Sequence, residues 1–350
     1  MYSYNYELVN ACLKLLRDSF RVQPGESVCI TVDTEGSAEL AEATAQAAVI
    51  LAAKPVVITT ASPRGSSKAA EPDLAMDVLI GALSVADVWI EYNNKWIFYS
   101  SVFDKVTEMN KKLRYMCLVG LTPDSFMRNL GRADLPTLTE FTLKVAAITE
   151  AAKRIRVTTP AGTDIEFDNK PGRLFGVSDG IVNPGEIKML PGQIGWAPDF
   201  PTINGTIVFD GSINPPCGKV DAPVRLSVEK GRVTKVEGGS SAKQFAGWLA
   251  SFNDPNMYTT AHISYGLGPY AELTGDVVED ERIWGCTEWG IGSVGAVLVN
   301  DIPGGIPAAS HADGVCLNSS VWLDGVLFFE NGVVVGPDEE TRVLAKKLGK

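Results

Sequence analysis

Ser310-His311-Ala312-Asp313-Gly314 sets an imidazole and a carboxylate two residues apart, and these are two of the commonest ligand types for a divalent metal. In an extended strand, residues i and i+2 point to the same face, so His311 and Asp313 are expected to address one site. The chain has one other histidine, His262, within Thr260-Ala261-His262-Ile263-Ser264-Tyr265-Gly266. Two His and one Asp are the ingredients of a facial triad, which grips a metal from one side and leaves the other open for substrate and oxygen or water. The competing reading is that each histidine is an ordinary hydrogen-bonded residue of an apolar strand. Against it, a chain of 350 residues with two histidines places both beside short Gly-containing turns in its C-terminal half.

Glu288 lies in Gly285-Cys286-Thr287-Glu288-Trp289-Gly290-Ile291-Gly292, where little would solvate a carboxylate. Such a group needs a metal, an arginine or its own proton, so metal ligand, general base and plain salt bridge all remain open for it. Gln193 and Trp196 fall in the stiff stretch Pro191-Gly192-Gln193-Ile194-Gly195-Trp196-Ala197-Pro198, which reads either as a pocket wall or as a simple connection. Trp196, Trp284 and Trp289 are candidates to stack on a flat substrate ring. The chain has no GxSxG elbow, HExxH, Walker A or EF-hand loop.

The elements that must position these residues divide into two textures. Up to about residue 152, helical patterns (7–20, 37–53, 73–83, 101–113, 137–152) alternate with short apolar strands (27–32, 55–60, 88–92, 114–119). That alternation predicts a doubly wound α/β domain over 1–152 with a parallel sheet covered on both faces. The turn after its first strand reads Asp33-Thr34-Glu35-Gly36-Ser37 and lacks GxGxxG, so this domain is expected to be scaffold. From 153 to 350 the chain turns to short strands bounded by Gly, Pro and Asp, with one helix at 241–252, predicting a β-rich metal-site domain. Its plainest signal is 321–335, where Asp324-Gly325 and Asn331-Gly332 separate apolar runs and predict a three-stranded meander.

Composition narrows the partners. A hydrophobic fraction of 45% and charged fraction of 21% are those of an ordinary globular chain, and a net charge of −11 argues against nucleic acid or an anionic membrane surface. The six cysteines, without any CxxC pair, are expected to be free thiols of a reducing cytoplasm. With no charged-then-apolar leader and no apolar run of about 18 residues, a cytoplasmic location is the expectation.

The segments Ser251-Phe252-Asn253-Asp254-Pro255, Ala261-His262-Ile263-Ser264-Tyr265-Gly266-Leu267-Gly268-Pro269 and Ser310-His311-Ala312-Asp313-Gly314 resemble those of the 2,5-dihydroxypyridine 5,6-dioxygenases of bacterial nicotinate breakdown. That family shares its fold with metallo-aminopeptidases of the aminopeptidase T type. The resemblance implies Fe(II) held by His262, His311 and Asp313, a small hydroxylated aromatic or N-heterocyclic substrate, O2 as co-substrate and a homo-oligomer. The chain departs from the dioxygenases in having no third histidine for their pocket. It departs from the aminopeptidase pattern in carrying His262 where that pattern has a carboxylate, Glu288 where it has a histidine, and Gln193 in place of a metal-binding Glu. A mononuclear ring-cleaving dioxygenase with Glu288 as base is therefore the leading expectation. A metal-dependent hydrolase of an amide or aromatic amine, using Mn(II) or Zn(II) and a metal-activated water, is the alternative.

Overall fold

Ser27–Asp33, Lys54–Thr60, Val88–Glu91 and Arg114–Cys117 become strands because each is a short apolar run closed by turn residues. They pair in parallel in the order Lys54–Thr60, Ser27–Asp33, Val88–Glu91, Arg114–Cys117, with Ile187–Met189 as a fifth, parallel strand at the far edge. Helices Ala38–Ile50, Met76–Leu83 and Ser101–Met109 connect them, the first capped by Ser37, whose hydroxyl accepts from Leu40 N–H.

In this strand order the winding reverses between Ser27–Asp33 and Val88–Glu91, where doubly wound folds usually open a ligand crevice. Asp33 there accepts from the backbone N–H groups of Glu35, Gly36, Asn94 and Lys95. The neighbouring Glu91, fully buried, accepts from Ile97 N–H and the Tyr115 hydroxyl. Both carboxylates are spent on the protein's own loops.

The computed structural model describes residues 6–350, which divide into two compact units: up to 135 together with 180–191, and 136–179 together with 192–350. The helix Leu135–Ala151 thus groups with the second unit from residue 136 on, and residues 180–191 return to give the first unit its fifth strand.

The second unit stacks an eight-stranded antiparallel sheet on a seven-stranded one. Phe167 of the larger sheet meets Trp289 of the smaller edge-to-face at 5.5 Å, and Phe329 meets Tyr265 in the same manner at 6.0 Å. The expected meander forms from Ser320–Leu323, Val326–Glu330 and Val333–Val334. Asp324 and Gly325 both have positive φ, as do Asn331 and Gly332, the backbone of tight hairpin turns. Among the described residues no helix is long and apolar enough to cross a membrane.

Candidate metal centre

Three neighbouring strands of the seven-stranded sheet, Thr260–Gly266, Thr287–Val294 and Ile306–Cys316, pair antiparallel. Their register sets Ser264 opposite Glu288, Gly290 between His262 and Asp313, and His311 opposite Gly292. Side-chain alternation then puts His262, Ser264, Glu288, His311 and Asp313 on one face. Ile263, Tyr265, Trp289 and Gly314 take the other face, against the larger sheet.

The two imidazoles lie nearly parallel, 12° apart in plane with ring centroids separated by 5.1 Å. His311 Nδ1 lies 2.7 Å from the carbonyl oxygen of Ser293, which can only accept, so Nδ1 carries a proton and Nε2 is the nitrogen turned to the site. His311 Nε2 lies 2.8 Å from Asp313 Oδ1, the imidazole donating to the carboxylate, and His262 Nε2 stands 3.5 Å from the same oxygen. His262, His311 and Asp313 thus each offer one ligand atom to a common point, where a divalent cation would take the place of the proton between His311 and Asp313. The donor set fits a borderline divalent metal such as iron, manganese or zinc.

Around this triad the electrostatics are set by burial. Burial raises the Asp313 carboxyl, but the opposing charge and hydrogen bond of His311 outweigh it and hold Asp313 at about 2. Burial lowers His311, and Asp313 more than reverses that, leaving the imidazole above its ordinary value. Glu288 is fully buried and pushed well above the usual carboxylate range, first by desolvation and then by the charge of Asp313. Its Oε2 accepts from Ser264 Oγ at 2.6 Å and lies 3.2 Å from His262 Nε2, while Oε1 has no hydrogen-bond partner.

Gly290 gives the two rings their room. A Cβ there would stand 2.3 Å from Cε1 and Nδ1 of His262 and 2.8 Å from Cε1 of His311. Both imidazoles would have to swing out of convergence. Gly290→Ala is expected to keep the far-ultraviolet circular dichroism of the parent and lose at least tenfold in metal affinity, read by metal analysis after dialysis against a chelator. On the opposite face, a Cβ at Gly314 would stand 2.3–2.5 Å from carbons of the Phe209 ring.

The tryptophans require a correction. Trp196 is buried on the core face, stacked on Phe175 with its indole N–H donated to Asn169, and Trp289 is buried against Phe167. Both point away from His262 because odd steps along a strand change face. Trp284 stacks on Phe141 at 4.9 Å, donates to the Gly332 carbonyl and has the Lys350 ammonium over its ring. The protein's own side chains occupy the surfaces these rings were expected to offer a substrate.

Gln193 does stand beside the centre, on a strand, Gln193–Trp196, that pairs with Thr260–Gly266. Its amide donates to Ser264 Oγ at 3.1 Å and to Glu281 Oε2 at 2.9 Å. Glu281 was hidden by its setting, since Glu279-Asp280-Glu281-Arg282 reads as a solvated charge run. In the structure Arg282 is wholly buried and its guanidinium donates to Glu281 Oε2 at 2.6 Å. Burial lifts the Glu281 carboxyl to about 8 against the pull of Arg282. Carboxylate oxygens of Glu281, Glu288 and Asp313 cluster next to the triad, sharing Asp313 with it. Ser264 had one legible sign: it lies two residues beyond His262 and so shares its face.

The sequence model of the NicX family, 2,5-dihydroxypyridine 5,6-dioxygenase, matches residues 7–336. The 2,5-dihydroxypyridine 5,6-dioxygenase of Pseudomonas putida KT2440 is 28% identical over 186 residues, covering 51% of this chain and 50% of the relative. That alignment spans about half of the relative's length. Among solved structures, 2,5-dihydroxypyridine dioxygenase from Pseudomonas putida KT2440 superposes with a TM-score of 0.79 at 21% identity, over 97% of this chain and 100% of that one. Wild-type AmpT from Thermus thermophilus superposes with a TM-score of 0.67 at 13% identity, over 95% and 100%. These two likenesses are of fold, and they establish the mixed α/β architecture expected from the sequence. With a family match over nearly its whole length, the chain belongs to the 2,5-dihydroxypyridine 5,6-dioxygenase family.

Proposed function

We propose that this protein is an Fe(II)-dependent dioxygenase that opens the ring of a small hydroxylated aromatic or N-heterocyclic compound, with His262, His311 and Asp313 holding the metal. The observation that carries the reading is the convergence of His262 Nε2, His311 Nε2 and Asp313 Oδ1 on one sheet face, in a chain of a dioxygenase family. Bound there, iron would supply the redox chemistry that lets a hydroxyl-bearing ring react with O2. The chain's residues do the rest. Ser293 fixes the tautomer of His311 through its carbonyl, and Ser264 fixes the carboxyl of Glu288. Glu288, deeply buried and one hydrogen bond from His262, takes the proton released by a substrate hydroxyl. The family likeness supports a homo-oligomer, and the unpaired cysteines, five of them buried, support a cytoplasmic setting.

The carboxylate cluster of Glu281, Glu288 and Asp313 favours the second reading, a hydrolase of an amide or aromatic amine in which Mn(II) or Zn(II) activates water. One experiment separates the two: metal analysis of anaerobically purified protein, coupled to an oxygen electrode with 2,5-dihydroxypyridine and related hydroxylated rings. One iron per chain with substrate-dependent oxygen uptake is the expected result. Zinc or manganese with anaerobic turnover of an amide would replace the dioxygenase by the hydrolase.

A further inference from the structure

Gln193 has two amide protons, and both are committed: one to Glu281 Oε2, the other to Ser264 Oγ. Because Ser264 Oγ accepts from the amide, its single proton is free to go to Glu288 Oε2, 2.6 Å away. Glu281, in turn, is held by the buried guanidinium of Arg282. The result is a directional chain of hydrogen bonds, Arg282 to Glu281, Gln193 to both Glu281 and Ser264, Ser264 to Glu288, ending one contact from His262. Ser264, Glu281, Arg282 and Glu288 are buried and Gln193 is partly so.

We propose that Gln193 is a positioning residue, anchored by the Glu281–Arg282 pair, that acts through Ser264 to tie down Oε2 of Glu288 and leave Oε1 free for the reacting proton. The proposal rests on the reading of Glu288 as proton acceptor given above. It explains why an amide stands at position 193. A carboxylate there would offer neither proton, and would accept the Ser264 hydroxyl's proton so that it turns away from Glu288.

Gln193→Leu keeps the volume and removes both donors; Ser264→Ala removes only the link, and serves if the first variant does not fold. Each is expected to lower kcat of the iron-loaded enzyme about 10- to 100-fold, with KM and iron per chain unchanged, and the pair together to cost no more than either alone. Placed in a Glu288→Gln background, each is expected to change kcat less than twofold. An equal loss in both backgrounds, or loss of iron, would overturn the proposal in favour of a structural or ligand role. A second readout does not depend on turnover: in crystals of metal-free Gln193→Leu, the Glu288 carboxyl is expected to have left hydrogen-bonding distance of Ser264. A carboxyl still seated on Ser264 in that variant overturns the positioning role, even if the wild type consumes no oxygen. Absence of oxygen uptake by wild type with a displaced Glu288 in the variant refutes the dioxygenase reading alone.

Discussion

Asp313→Ala is expected to leave less than one-tenth of the parental metal on the protein and no measurable oxygen uptake, while the fold persists. Asp313 is the only carboxylate of the triad, and the one group shared between the triad and the carboxylate cluster. Losing the hydrogen bond behind a metal-binding imidazole typically weakens metal binding by about 10- to 100-fold, and removing a ligand outright costs more. The fold should survive because the register of Ile306–Cys316 is set by backbone pairing and by residues of the core face, such as Gly314 against Phe209. The check is metal analysis with thermal unfolding of the apo-protein. His311→Ala should behave alike, and full metal occupancy in either variant would dismantle the triad.

Glu288→Gln should separate binding from chemistry. The amide is nearly isosteric with the carboxyl and its oxygen can still accept from Ser264 Oγ, so the site should keep its shape and its metal. It cannot take a proton, and kcat is expected to fall about 10²- to 10⁴-fold, the usual contribution of a positioned general base. KM should change little. The measurement is steady-state oxygen uptake alongside iron per chain. If metal is lost instead, Glu288 is a ligand, and the hydrolase reading gains the weight that the dioxygenase loses.

Sequence reasoning reached the centre of this site because two-residue periodicity is geometric. Once 306–316 is a strand, His311 and Asp313 must share a face, and a lone pair of histidines in a long chain directs attention to His262. The same rule misplaced the tryptophans only for want of register. Trp289 is one residue from Glu288 and therefore faces away from it, a fact contained in the sequence as soon as Glu288 is put in the site. What local pattern could not supply was partnership across the sheet. Pro191, Gly192, Gly195 and Pro198 made 191–198 read as a connection, and it is pairing with Thr260–Gly266 that draws 193–196 into a strand. Glu281 and Arg282 look like surface charges until tertiary burial turns them into an internal ion pair. The fold class was legible from the alternation of helix and strand periods. The return of residues 180–191 to the first sheet was not, because a three-residue strand carries almost no periodicity.

Gly290 and Gly314 sit on adjacent strands, one bare toward the ligands and the other bare toward the core. At that point the wall between the imidazoles and the aromatic interior is one polypeptide backbone thick. Next to Asp313, on the same strand, the ring of Phe209 fills the space where a side chain at 314 would otherwise stand. A change in the packing of Phe209 is therefore expected to be felt on the face that carries His262, His311 and Asp313.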